Sequence, residues 1–377
     1  MLKSLEEINA KICAGTAVTL TKNEFLSLAA QDGLNEAAAR VDVVTTATFG
    51  AMCSSGAFFN FKHTDPPMKL KRVSLNDVPG YGGLAAMDVF LGATEPAEDN
   101  PRYGGAHVIE ALVRGDSVRL KADSSGTDCY PKEALEAQFT LDDLNQAYLF
   151  NPRNGYQNYA AAINGTDRII YTYMGTLLPR YGNLTYSTSG SLSPLINDPY
   201  YRTIGIGTRI WLAGAVGLVA WEGTQHNPTV ARNDRAIPFG AAGTMAVIGN
   251  LKDMSTDFLR AAYFHNYGVT LYIGIGVAIP VLDKEMAHYL AITDDDITTK
   301  VYDYGVASRS RPVVAEVTYA QLRSGSVLID GKTIATAPLS SLFKAREIMH
   351  LLKQQIQAGT FTLSAPIQPL PGSRGVE

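Results

Sequence analysis

The spacing of apolar positions changes several times along the chain. Residues 4–40 read as helices: Ser4 and Glu7 have capping-box spacing, and Asn23–Arg40 is Ala-rich with a break at Asp32-Gly33. Val41–Thr48 is β-branched and predicts a strand that runs into a loop of small residues, Gly50–Gly56. Gly and Pro turn signals fill residues 62–106, which read as surface loop and short strands. A helix and then a strand are expected over 107–122, a second tight loop at Gly126–Pro131, and a helix over Thr140–Leu149. From 164 to 280 the chain is rich in Gly, Tyr and β-branched residues, which predicts short strands, with one helix at Met254–Phe264. Val313–Leu328 reads as strand, short helix, strand, and Asp330-Gly331-Lys332 as a hairpin turn. The clearest helix is 339–357, where Leu342, Ile348, Leu351, Leu352 and Ile356 share a face and Gly359 stops the helix.

These elements predict a mixed α/β fold. Gly-rich short strands form mixed sheets with flanking helices, and strand-end loops carry the cysteines. No repeat and no sharp linker is visible. Residues 1–366 are expected to form one region, with two intimate subdomains divided near 165–180 as the alternative, and 367–377 a loose tail.

The chain has 377 residues, 46% of them hydrophobic and only 18% charged, with a net charge of -4. That much apolar surface excludes disorder, and the absence of a cationic excess disfavours nucleic-acid binding. So few charges suggest extra buried surface, which a homo-oligomer would supply. The opening residues lack a secretory h-region, and neither Tyr267–Leu282 nor Ile210–Trp221 reaches the about 20 apolar residues of a membrane span. A soluble, cytoplasmic protein without membrane attachment is expected. Its three cysteines form neither a disulfide framework nor a CxxC pair.

Two of those thiols are candidates for chemistry. Cys129 lies in Gly126-Thr127-Asp128-Cys129-Tyr130-Pro131, where Pro131 steers Tyr130 away from helix and presents the thiol from a constrained turn. Cys53 follows a strand and is flanked by Gly50 and Gly56, the kind of strand end where α/β folds place ligands. For both, a small buried hydrophobe is the competing reading. Cys13, in register with Ile8 and Ile12, reads as core. His63 and Asp128 are possible acid–base groups, while His226 reads as a satisfied loop histidine. Gly205-Ile206-Gly207 and Gly274-Ile275-Gly276 do not extend to GxGxxG and indicate close strand packing. Asp294–Asp296 reads as a solvated helix start. No metal site and no bound cofactor are expected.

Met52-Cys53-Ser54-Ser55-Gly56-Ala57-Phe58, Gly126–Pro131 and the segment from Arg311-Pro312-Val313 to the 339–357 helix resemble the homocysteine-biosynthesis family of methanogens and other anaerobes. The resemblance implies an L-aspartate semialdehyde sulfurtransferase. The family's essential, persulfide-carrying thiol maps onto Cys129 and the first-motif cysteine onto Cys53. Some members carry CBS domains or work with a ferredoxin-like protein. Neither module is present in this sequence, so the reductant is expected from outside, with sulfide or a persulfide as sulfur source. A substrate α-carboxylate calls for an arginine fork, for which Arg180, Arg202 and Arg209 are the candidates. Ser54, Ser55 and Thr127 are candidate backbone or hydroxyl donors to an anion. Two other classes remain: a non-catalytic persulfide relay and a nucleotide-dependent oxidoreductase.

Overall fold

The computed structural model describes residues 3–375. Its largest sheet runs in the order Thr19–Thr21, Val43–Ala51, Gly268–Pro280, Arg209–Leu212, Ala215–Glu222, Met245–Asn250, Gln146–Asn154, Gly56–Asn60, Asp88–Gly92, Val78–Tyr81, Arg72–Leu75, Val118–Asp123 and Ala134–Phe139. Leu259–Phe264 pairs alongside Gly268–Pro280 as a further strand. The chain order forces this sheet to coil. Val43–Ala51 and Gly56–Asn60 stand six pairings apart, about 29 Å across a flat sheet. The link from Ala51 to Gly56 reaches no more than about 18 Å. The strands between them therefore curl into a partly closed barrel, and residues 52–55 cross its seam.

One outer flank of the coil is covered by the helix Leu342–Gln357. Ser341 caps its start, accepting from the Lys344 N–H, and Gly359 at φ 72° ends it. The helix lies close because Gly274 and Gly276 present no side chain. A Cβ on Gly276 would meet Ile348 Cγ2 at 2.9 Å and Trp211 Cβ at 3.3 Å. Gly274-Ile275-Gly276 is thus a site of close packing, against a helix as well as neighbouring strands.

A second sheet of six strands, ordered Val313–Thr318, Thr298–Asp303, Ala161–Ile163, Leu184–Tyr186, Lys332–Pro338 and Ser326–Ile329, abuts the seam. It mixes parallel and antiparallel pairs. The short helix Tyr319–Arg323 and the Asp330-Gly331 turn, both at positive φ (49° and 76°), fall where the sequence put them. The fold is mixed α/β.

Several expectations need correction. Thr140–Leu149 is not a helix: one 3₁₀ turn, Leu141–Asp143, precedes the strand Gln146–Asn154. Ala147 and Leu149 point inward with Gln146 and Tyr148 outward, a period of two, and strands on both sides supply partners. Met254–Phe264 is a turn and the strand Leu259–Phe264, because the hairpin partner 268–273 outcompetes local helix propensity. Asp294 and Asp296 start no helix; they pair with Arg323 and Arg235. Cys13 is exposed, not core: Ile8 and Ile12 share a face, and one further residue rotates about 100° away.

The stretch after Pro366 lies against the body. Gln368-Pro369 pair with Gly205-Ile206, Leu370 is buried, and Arg374 sits 3.4 Å from the Tyr200 ring. Its prolines cost ladder donors but still permit an edge pairing.

Candidate active site

The turn that crosses the seam holds Cys53. Ser55 closes it: its N–H and its hydroxyl both donate to the Met52 carbonyl, at 3.1 and 2.7 Å. Asn151 Nδ2 donates to the same hydroxyl at 3.0 Å and ties the turn to the neighbouring strand. Ser55 is therefore fully occupied and buried, not an anion donor. Cys53 stays exposed, and with Ser54 it lines a cavity of about 260 Å³.

The other walls come from distant parts of the chain. Arg153 stands near the end of the strand Gln146–Asn154, and Gly155, Tyr156 and Tyr159 on the crossover from the large sheet to the small one. Tyr173 and Met174 belong to a hairpin turn, Ser187, Thr188 and Ser193 to the loop after Leu184–Tyr186, and Tyr267 to the 264–268 turn. Leu339 and Ser340 bring the start of the long helix to the rim, with the positive end of its dipole. Thr188, a β-branched residue, is held at φ 68°. Its hydroxyl lies 2.6 Å from that of Tyr319, which is fully buried and also donates to the Ser187 carbonyl. Strain of this kind concentrates at functional sites.

Two features set the chemistry. Arg153 donates through Nε to Thr224 Oγ1 at 2.8 Å and has no carboxylate partner among the described residues. The same guanidinium also bears on the Tyr156 hydroxyl. The phenols are the second feature. Burial raises Tyr156 to about 12, and Tyr159, Tyr173 and Tyr267 are raised for the same reason. The neighbouring Cys53 sulfur pushes Tyr156, Tyr159 and Tyr267 further the same way. All four remain protonated donors near neutral pH, facing a thiol and a guanidinium that no carboxylate neutralises among the described residues.

The remaining sequence candidates lie elsewhere. Cys129 is exposed on the tip between Val118–Asp123 and Ala134–Phe139, locked by reciprocal Thr127 and Tyr130 backbone bonds of 3.0 Å. That tip is tied to Pro67 through the Lys132 N–H, beyond the last residue of Gly56–Asn60, whereas Cys53 precedes the first. The intervening strand alone spans about 17 Å, so the two thiols are not within the about 7 Å that a disulfide requires between Cα atoms. Asp128 and Thr127 share the exposed tip, and His63 lies just past the same far end of the strand. None of the three arginine candidates lines the cavity. Arg180 pairs with Asp167 in solvent, Arg202 is buried against Asp283 and Glu285, and Arg209 Nη1 donates to Thr362. His226 accepts the Thr244 N–H at Nδ1 and donates from Nε2 to the Pro371 carbonyl, a satisfied structural role. Sequence reasoning missed Arg153 and the tyrosines. The run Arg153-Asn154-Gly155-Tyr156-Gln157-Asn158-Tyr159 at the end of a strand was the available signal.

A family model described as "Homocysteine biosynthesis enzyme, sulfur-incorporation" matches residues 17–363. A protein of Methanosarcina acetivorans named L-aspartate semialdehyde sulfurtransferase is 50% identical over 369 residues, covering 98% of this chain and 72% of that one. One of the same name from Methanocaldococcus jannaschii is 50% identical over 386 residues, covering 98% and 74%. An uncharacterized protein of Methanothermobacter thermautotrophicus is 29% identical over 86% of this chain and 73% of its own. No solved structure matches. With the Cys53 motif built into a cavity and the family model running almost end to end, the chain belongs to the homocysteine biosynthesis, sulfur-incorporation family.

Proposed function

We propose that this chain converts L-aspartate semialdehyde to L-homocysteine, and that the Cys53 cavity receives the amino-acid aldehyde. The observation that carries this is the joint presence of a thiol, an arginine free of carboxylates and a wall of phenols in one cavity sized for a small metabolite. Two relatives at 50% identity bear the name of this activity. Arg153 forks the α-carboxylate. The ammonium lies toward Gln225 and the Ser187 and Thr188 oxygens, and the aldehyde carbon toward Cys53.

Sulfide adds to the aldehyde and water leaves, giving a thioaldehyde. Two electrons are then needed to reach the thiol. A thiolate on Cys129 bonds to the thioaldehyde sulfur as the carbon takes a proton, forming a mixed disulfide. Cys53 attacks the Cys129 sulfur, homocysteine leaves as thiolate, and a Cys53–Cys129 disulfide remains. The two protein thiols supply both electrons, and an external low-potential donor, such as a ferredoxin-like protein, returns them. A persulfide in place of sulfide costs two electrons more.

The separation of the thiols within one chain favours a second copy as the source of Cys129. A ten-residue tip anchored at Asp123 and Ala134 reaches about 17 Å at full stretch, which only covers the length of the strand between the sites. The test mixes Cys53→Ser and Cys129→Ser chains with semialdehyde, sulfide and a titanium(III) reductant. Each variant alone is expected to make no homocysteine. In a two-fold dimer, random mixing makes about one site in four competent, so the mixture recovers about a quarter of the activity. An inactive mixture would refute pairing across chains. Wild-type protein that takes up sulfur on Cys129 but forms no homocysteine would show a sulfur relay instead.

A further inference from the structure

Behind the cavity wall a chain of hydroxyls leads away from the reacting carbon. Tyr159 Oη lies 3.1 Å from Tyr173 Oη, which lies 2.7 Å from Tyr304 Oη. Tyr159 and Tyr173 line the cavity and Tyr304 does not. At the far end the Arg311 guanidinium stands 4.2 Å from the centre of the Tyr304 ring. Arg311 Nε is buried without any acceptor, and its group pairs with no carboxylate among the described residues. A phenol has one proton to donate, so the three hydroxyls can point outward together or reverse together.

We propose that Tyr159, Tyr173 and Tyr304 form a proton wire that protonates the aldehyde oxygen when sulfur adds, with Arg311 stabilising the charge left at the far end. This rests on the reading of the cavity as the semialdehyde site and names the groups that move its proton. As the sulfur anion bonds to the carbonyl carbon, the C=O π bond opens and the oxygen takes the Tyr159 proton. Tyr159 takes that of Tyr173, and Tyr173 that of Tyr304. One C–S bond forms, one O–H bond is gained by the substrate and one is lost at Tyr304. No electrons change hands. The Tyr304 phenolate recovers the proton that hydrogen sulfide shed on becoming the nucleophile, so the hydroxyl can leave as water with the sulfhydryl proton.

The surroundings suit the two ends to these tasks. Tyr159 is faced by Tyr156, Arg153 and Cys53, Tyr173 by Tyr267 and Arg311, and Tyr304 by Arg311 and Tyr302. Burial raises all three phenols. At Tyr304 the Arg311 charge and the bond from Tyr173 pull the other way.

Tyr304→Phe cuts the wire outside the cavity. With L-aspartate semialdehyde, sulfide and titanium(III) citrate, its kcat is expected to fall about 10²-fold, the lower end of general acid catalysis. KM is expected to stay within twofold, and the solvent deuterium effect on kcat to change. Tyr173→Phe is expected to do the same, and Arg311→Gln to move the pH profile. A kcat within twofold of wild type in both tyrosine variants, with unchanged pH and isotope dependence, overturns the wire. A second measurement needs no turnover: the 295-nm phenolate titration of wild type minus Tyr304→Phe isolates Tyr304. Against the same difference in an Arg311→Gln background it is expected to shift to higher pH, and an unmoved curve also overturns the proposal. If wild-type protein makes no homocysteine, the activity reading fails and the absorbance titration alone decides on the wire.

Discussion

Replacing Arg153 by glutamine removes a positive charge from the cavity wall and keeps a side chain that can still reach Thr224. The bond at stake in the fold is the exposed 2.8 Å contact from Nε to Thr224 Oγ1. Its loss costs about 0.5–1.5 kcal/mol of stability at most. The loss in binding is larger. Hydrogen bonds to charged groups contribute about 1.5–3 kcal/mol, and each 1.4 kcal/mol is a factor of ten. The kcat/KM for L-aspartate semialdehyde is therefore expected to drop about 10- to 150-fold. The carboxylate is unchanged from ground state to transition state, so the loss belongs in KM rather than kcat. The assay follows homocysteine at varied semialdehyde and fixed sulfide, then at varied sulfide. The decarboxylated analogue 3-aminopropanal serves as control, because it offers Arg153 nothing to hold. Wild type and the variant are expected to handle the analogue alike. A semialdehyde KM within twofold of wild type, or an equal loss on the analogue, would falsify the assignment of Arg153.

Gly276→Ala sets a methyl 2.9 Å from Ile348 Cγ2 under the long helix and is expected to destabilise by about 1–3 kcal/mol, read as a lowered urea midpoint. Leu370→Ala empties a buried position where the C-terminal stretch docks, at a cost of about 2–5 kcal/mol, and a melting temperature unchanged from wild type would show that the stretch is dispensable. His107 is held below its usual pKa, chiefly by burial with Glu110 opposing, and its ring Nδ1 accepts the Gly104 N–H. A base whose folded pKa is depressed loses stability as pH falls below about 6.5, where the unfolded chain binds the proton more readily. His107→Asn is expected to flatten that acid-side slope in denaturant titrations at pH 5 to 7.

How much could be read in advance differs from element to element. The helix at 342–357, the 319–323 helix between its strands and the Asp330-Gly331 turn were legible because their signals are local. Their periods, caps and turn residues lie within a few positions of each other. Thr140–Leu149 and Met254–Phe264 read as helices for the opposite reason: short segments of ambiguous pattern become strands when neighbours far along the chain offer ladder partners. At the site, the small-residue turn around Cys53 was legible. The arginine on the cavity wall was not, since Arg202 and Arg209 look as suitable in sequence as Arg153. Only packing shows that Arg202 is consumed by Asp283 and Glu285.

The sequence by itself determined the mixed α/β character, the family, and the two loops that present thiols. The tertiary structure decided which of those loops opens into a cavity and what stands around it. Residues near 53, 153, 173, 188, 225, 267 and 340 meet there because a sheet whose seam is crossed by a four-residue link has to coil, and coiling brings together ends that are far apart along the chain. Strand pairing likewise puts Cys53 ahead of Gly56–Asn60 and Cys129 on the tip beyond Asp123, four ladder steps away, a separation set by backbone pairing that no local motif encodes.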